Sequence, residues 1–438
     1  MEIIVIGGGV GGLTAALALA QGGHRVQVLE RAARFAQPGP ALRLAPNATA
    51  VLARLGLLDQ VLDLGSRPRR ALLRDLGSGA ELAELDLGAP LTARYHSPYV
   101  VAGRADLLSL LADACADADV ELRPGREVIG VDQSHLASAV MGGPVVSCAG
   151  GQMYAADAVL AADGDCSVVR ALLGGGELSG DGWAVYRGTV PADALADGAD
   201  GAGADEVVAW TGPDAHFTQY PVRIGEVYEQ VAVFRSHLYP LLCPARPAGP
   251  APLAGPVPLA GTASPGGAGQ GPGDGPAGVE TNGFDNNGFD NNGFEKTGGD
   301  GAAWGGPEEL DDAFSWAAEP VRTAVRRLRR DRWWRMLDRV SPRFWAVDRV
   351  ALLGDAVHPM PGFLAQGACQ AIEDAAALAT ALADCPGPSA VPAALAAYQA
   401  RRAPRALRVS RARLVWESGP LPRRAADDYA ASDWLYAP

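Results

Sequence analysis

The chain has 438 residues, 48% hydrophobic and 20% charged, with a formal net charge of −13. That length suits two domains and a large core, and the acidic balance excludes an extended nucleic-acid surface, which needs concentrated Lys and Arg. Six scattered cysteines without a CxxC, and six dispersed histidines without metal spacing, exclude a disulfide framework and a zinc site; they predict reduced thiols in a cytoplasmic protein.

Residues 2–6, EIIVI, read as a short buried strand. Gly7-Gly8-Gly9-Val10-Gly11-Gly12 follows, then the helical pattern LTAALALAQGG. GxGxxG falls on Gly7, Gly9 and Gly12. Gly7 allows the tight turn, Gly9 lets backbone N–H groups approach a pyrophosphate, and Gly12 lets the helix pack close on the strand. The helix N-terminus favours the anion. A second strand, HRVQVLE, ends at Glu30, where a carboxylate can accept from the ribose hydroxyls of an adenosine. A glycine-rich turn with no ligand leaves Glu30 unexplained. The half-motif predicts a dinucleotide without choosing between NAD and FAD. No basic n-region marks a signal peptide here, and no stretch reaches the roughly 18 to 20 apolar residues of a membrane span.

Residues 156–170, ADAVLAADGDCSVVR, predict a strand ending at Asp163-Gly164 and a helix starting near Ser167. The glycines 174–176 follow that helix and read as a loop. GWAVYRGTV, EVVAWT, AHFTQYPV and VYEQVAVF, between 182 and 234, read as strands. His216 and Tyr220 lie four apart on one of them, hence on one face. An imidazole suits general-base work near neutral pH; a packed strand histidine is the plainer alternative.

From 244 to 303 the composition shifts to Gly, Pro and Ala, with an NGFDN-type repeat starting at Asn282, Asn287 and Asn292. It holds too few large apolar residues to offset chain entropy and predicts a disordered insertion. The basic stretch 322–335, RTAVRRLRRDRWWR, reads as a solvated helix face. A buried strand, 349–353, then runs into Gly354-Asp355, His358-Pro359 and a helix from Gly367. Asp355 suits a ribityl hydroxyl, and the helix N-terminus suits negative charge developing on a reduced flavin. His358 reads as structural or cofactor-proximal.

In this order, GxGxxG with Glu30, Asp163-Gly164, and Gly354-Asp355 with His358-Pro359 resemble the class A FAD-dependent aromatic hydroxylases of the para-hydroxybenzoate hydroxylase fold. AVYRGTVP (184–191), HFTQYPVR (216–223), RDRWW (330–334), AQGACQAIEDA (365–375) and SDWLY (432–436) look most like the salicylate hydroxylase and 3-hydroxybenzoate 6-hydroxylase branch. The likeness covers the chain except around 244–303. It implies an α/β fold: a discontinuous Rossmann-like FAD-binding domain (1–70, 98–180 and 340–438), an antiparallel β-sheet substrate domain (71–97 and 181–339), and C-terminal helices. It implies FAD as cofactor and NADH or NADPH as co-substrate. O₂ reacts to a C4a-hydroperoxyflavin that hydroxylates a small phenolic substrate. Dimers are common in that family; neither a nucleic acid nor a membrane is an expected partner.

The resemblance also assigns residues. To the cofactor it gives Gly7, Gly9, Val10, Gly11 and Gly12, then Glu30, Arg31, Arg43, Arg104 and Val128. Asp163, Gly164, Asp355 and Pro359 join them, with Gln366, Gly367 and Ala368 at the last helix. To catalysis it gives His216 and Tyr220. Gly362 and Phe363 stand in the substrate pocket where the 3-hydroxybenzoate branch has Gln and Tyr, which implies a bulkier or less polar aromatic. A decarboxylating hydroxylase or an epoxidase on the same fold, and a non-catalytic flavin-binding protein, stay open as alternatives. A halogenase needs a structured lysine, and the single lysine here is Lys296, inside the insertion. A disulfide reductase needs a redox cysteine pair.

Overall fold

A computed structural model of the chain describes residues 1–36, 39–134, 142–175, 179–195, 205–239, 304–338, 344–360, 364–417 and 433–436. Its first layer is a six-stranded sheet in the order Ala346–Val347, Val350–Leu352, Ala158–Ala161, Glu2–Ile6, Arg25–Glu30, Glu121–Pro124. All neighbours are parallel except the outer pair, Ala346–Val347 with Val350–Leu352. Ile3 to Ile6 and Ala158 to Ala161 are buried without alternation, as a parallel sheet covered on both faces requires. Segments from opposite ends of the sequence therefore share one sheet, separated by the single strand Ala158–Ala161.

Two helices cross over this sheet, Val10–Gln21 and Gly367–Ala383. Small residues let them touch. A Cβ on Gly11 would lie 3.0 Å from the Ala371 Cβ, and one on Gly354 would lie 3.1 Å from it. Ala371 is thus the point where the first turn and the last turn meet.

The second layer is a seven-stranded sheet: Trp334–Asp338, Ser179–Pro191, Val227–Arg235, Ala215–Val222, Glu206–Thr211, Arg70–Asp75, Glu81–Asp86. It is antiparallel apart from the pairing of Glu206–Thr211 with Arg70–Asp75. Side chains alternate between its faces. Tyr186, Phe217, Ala232 and Phe234 pack with Leu310, Phe314 and Val321 of the helices Pro307–Phe314 and Glu319–Arg327. Trp183, Val185, Tyr220, Val231 and Val233 turn the other way, into the core shared with the parallel sheet. His216, four before Tyr220, shares that inward face.

The basic stretch 322–335 departs from a single helix face. The helix ends at Arg327, and Leu328 is extended (φ −65°, ψ 147°). Leu328 and Trp333 are buried, and Trp334 opens an edge strand. Burial of these two apolar side chains overrides continuation of the helix.

The segment 244–303, expected to be a disordered insertion, lies outside the described residues. Its described flanks lie together. The Tyr239 and Trp304 rings are 4.9 Å apart. Glu309 accepts from Ser236 Oγ (2.8 Å) on one flank and from the Gly305 N–H on the other. Replacing residues 244–303 by a short Gly/Ser linker should leave the flavin-to-protein absorbance ratio and the Tm unchanged. A loss of both would make the segment part of the folded core.

Candidate active site

The glycine turn is sterically determined. Gly7 has φ +101°, and a Cβ on Gly12 would collide with the Gly7 carbonyl oxygen. No atom lies within 4 Å of a Cβ placed on Gly9, so this backbone faces open space. Glu30, at the end of the neighbouring strand, accepts from the Gly8 N–H (2.5 Å) and the Ala32 N–H (2.8 Å). Arg126 N donates to the Glu30 carbonyl at 2.7 Å, which brings the strand Val128–Asp132 beside this corner. Arg31 is exposed and close enough to Cys166 to act on its thiol.

Asp163 and Gly164 follow the strand Ala158–Ala161, and Gly164 has φ +81°. Asp163 Oδ2 accepts from Val169 N (3.3 Å), while its buried Oδ1 has no hydrogen-bond partner among the described residues. Burial pushes this carboxyl up. Arg170 is buried and donates to the Ala356 carbonyl (2.8 Å) and to the Asp165 carbonyl. It ties the Asp-Gly turn to the Gly-Asp turn.

At that second turn Gly354 has φ +60°, and its N–H donates to Asp374 Oδ2 (2.9 Å). The same oxygen meets His358 Nε2 at 2.5 Å, and Oδ1 accepts from Arg402 Nε at 2.7 Å. Burial alone would raise the Asp374 carboxyl, but His358 and Arg402 hold it below its ordinary range. Pro359 is buried beside His358. The Asp355 residue is exposed, yet protein atoms are dense around its carboxyl. That crowding raises its carboxyl, against His358 and Arg104, which favour the charge. Asp165 is pushed up to about 6, by burial first and Asp355 second.

Arg104 starts the helix Arg104–Asp117. Burial lowers its guanidinium, Asp355 and Glu30 favour the charge, and Arg187 opposes it. It therefore sits within electrostatic reach of both carboxylates assigned to the cofactor. Gly367 and Ala368 open the helix Gly367–Ala383, with Asp355 Oδ1 3.8 Å from where a Gly367 Cβ would lie. The Gln366 side chain is buried and accepts from Asn47 Nδ2 (3.0 Å) and Gln370 Nε2 (3.2 Å). Gly362 and Phe363 lie outside the described residues.

On the facing sheet His216 is buried, with Nδ1 2.9 Å from Thr211 Oγ1 and its ring stacked on Trp183 at 5.6 Å. Burial pushes its imidazole down to about 4. Tyr220 is buried with Arg43 5.1 Å from its ring centre, and burial raises its phenol. Glu229 binds Arg187 Nη1 (3.0 Å) and the Ala41 N–H (2.8 Å), joining the sheet to the strand Leu42–Leu44 that carries Arg43.

Sequence reasoning missed Arg170, Arg187, Glu229, Asp374 and Arg402. One signal was present: the adjacent acids Glu373 and Asp374 interrupt an alanine-rich helix, and an arginine-rich stretch follows at 401–405.

Fold and site together define a flavoprotein monooxygenase. The family described as FAD binding domain matches residues 1–216 and 308–413, and the chain belongs to this family of FAD-dependent aromatic hydroxylases. It is 32% identical to the 3-amino-4-hydroxybenzoate 2-monooxygenase of Streptomyces cremeus, over 100% of this chain and 95% of that protein. It is 28% identical to the 3-hydroxybenzoate 6-hydroxylase of Klebsiella oxytoca, over 97% and 88%. A solved salicylate hydroxylase substrate complex shares the fold, with a TM-score of 0.70 at 21% identity over 100% of this chain and 95% of that one. No helix among the described residues is long and apolar enough to cross a membrane.

The residues present fit FAD. Both helices at the site lack a side-chain N-cap and first-turn carboxylates, so their N–H groups are left for an anion. The open face of Gly9 and the unpartnered Asp163 Oδ1 fit a ligand as well.

Two outcomes follow. Gly12→Val should abolish FAD retention, since overpacking costs about 1 to 3 kcal/mol even where neighbours can move, and the Gly7 carbonyl is fixed in the turn. Retained yellow colour after gel filtration would count against this. The second concerns pH. Folded His216 resists a proton until about pH 4, whereas the unfolded ring accepts one below its ordinary 6.5. Stability should therefore fall as pH drops through that window, by roughly 3 kcal/mol. Urea unfolding of His216→Asn from pH 7 to 4 should show a smaller loss than the natural chain. Equal losses would contradict the buried neutral ring.

Proposed function

We propose that this chain hydroxylates a phenolic aromatic acid, using O₂ and FAD reduced by NADH or NADPH in the cytoplasm. Residues 1–70, 98–180 and 340–438 serve the flavin; 71–97 and 181–339 serve the substrate. FAD, when bound, supplies the electrons that activate O₂ and transfers one oxygen atom to the ring. The chain's own residues position the phenol, move its proton and keep water out.

The observation that carries this reading is the pairing of His216 and Tyr220 on the inward face of the central strand Ala215–Val222. The ring is neutral at pH 7, and because burial disfavours its imidazolium it takes the phenol proton only with the phenolate's charge beside it. With Nδ1–H donating to Thr211 Oγ1, Nε2 is the acceptor for the phenol, and loss of that proton makes the aromatic carbon more nucleophilic. A phenolate formed beside it stabilises the imidazolium. Trp183, Val185 and Val233 on the same face exclude water. Arg43 at Tyr220 supplies positive charge for a carboxylate. The names of the two relatives above, both hydroxybenzoate monooxygenases, support the same substrate class.

The test is NADH and NADPH oxidation by the yellow protein with a panel of hydroxybenzoates, amino-hydroxybenzoates and larger phenols, following O₂ uptake and H₂O₂. Coupled turnover with at least one phenolic acid is expected; flavin that no donor reduces, whatever aromatic is added, would leave a non-catalytic flavin protein. His216→Ala should keep its FAD, lower hydroxylation by about 10²- to 10⁴-fold and divert electrons to H₂O₂. Unchanged coupled turnover would remove His216 from the proton path.

A further inference from the structure

Away from the flavin site the fold leaves a half-open pocket of about 400 Å³. It lies where the helices Val10–Gln21, Pro46–Arg54, Gly367–Ala383 and Val391–Glu417 meet. Its residues on Gly367–Ala383, from Glu373 to Thr380, are about 9 to 20 Å along that helix from the Gly367 end, at 1.5 Å per residue. No residue assigned to FAD or to the phenol lines it.

The lining has two parts. Ala18, Val51, Leu55, Ala376 and Ala377 form an apolar floor. Arg54, Arg401, Arg402 and Arg405 stand in the wall against a single carboxylate, Glu373. This excess is notable in a chain of net charge −13. Arg402 and Arg405 are already bound to Glu373, at 2.6 Å from Arg402 Nη1 and 2.7 Å from Arg405 Nη2. Arg54 and Arg401 are exposed and form no ion pair or hydrogen bond among the described residues. Arg405, one helical turn from Arg401, is already offset by Glu373, so Arg54 and Arg401 hold the uncompensated charge of this face.

An anion compensates that charge, and a guanidinium receives a carboxylate through two parallel hydrogen bonds. The apolar floor requires a ligand with an apolar body, and the volume falls in the range of about 300 to 1,000 Å³ that holds small organic ligands. We propose that this cavity binds a small amphipathic carboxylate, an aryl or short acyl acid, independently of the flavin and phenol site. Its wall shares Glu373 and Arg402 with the network that holds the Gly354 N–H through Asp374.

The test uses the holoenzyme with benzoate and 1-naphthoate as probes. Calorimetry counts all bound probe; a flavin difference spectrum counts probe bound beside the isoalloxazine. One flavin-silent equivalent is expected. The double variant Arg54→Gln, Arg401→Gln should weaken that equivalent about tenfold or more and leave the flavin titration unchanged. Ala379→Phe, which fills the cavity without changing charge, should do the same. The proposal fails if no flavin-silent equivalent exists, or if it survives both changes. Inorganic phosphate binding as tightly as benzoate would overturn the amphipathic assignment. Because the readout is silent at the flavin, its failure is separate from failure of the hydroxylase reading.

Discussion

Asp374 is the residue on which the flavin end of the molecule turns. Its carboxylate is fully buried and accepts from the Gly354 N–H, His358 and Arg402. A buried charge is tolerated only when it is paired and its lone pairs are used. Here both conditions are met by groups from two segments, the 354–358 turn and the helix that carries Arg402. The result is a Gly354 turn held at positive φ, with Asp355 exposed beside it. Arg170 adds a second tie, from the Asp163 side to the Ala356 carbonyl. Residues near 163 and 355 thus act as one wall although nearly 200 positions separate them.

The facing wall follows a different rule. The strand alternation of the seven-stranded sheet sends His216 and Tyr220 inward and Phe217 outward. A one-residue register slip would bury Phe217 over the flavin layer and expel His216. Glu229 helps fix the two layers, since it binds Arg187 on the sheet and the Ala41 N–H beside Arg43. Burial keeps the His216 imidazole neutral, and under the proposed function the same burial would keep water from the reacting ring. The same packing serves stability and reaction.

Much of this was legible in the sequence. Gly7, Gly9, Gly12 and Glu30 form a local pattern in which each residue has a separate steric or hydrogen-bonding reason. Asp163-Gly164 and Gly354-Asp355 were legible because each sits between an apolar strand and a helix. The inward placing of His216 and Tyr220 was legible from spacing alone; their catalytic role is what the resemblance implies and is a proposal here. Glu229 and Arg187 were not, because their meaning depends on Ala41, 188 positions from Glu229. Asp374 looked like one more polar residue of an alanine-rich helix; only the fold reveals that it faces Gly354 and Arg402. The basic stretch 322–335 misled for the opposite reason. Its charges suit a helix face, while Leu328 and Trp333, buried beyond Arg327, turn the chain out of the helix.

The central claim is that the buried Asp374 network sets the flavin turn. The most direct measurement is the FAD dissociation constant of Asp374→Asn, compared with the natural chain under conditions where both stay folded by circular dichroism. The substitution keeps an acceptor for the Gly354 N–H and removes the charge that His358 and Arg402 face. A weakening of about tenfold or more, equivalent to about 1.4 kcal/mol, is the expected result. An unchanged dissociation constant in a folded variant would contradict it, and would leave the Gly354 turn to be fixed by glycine geometry alone.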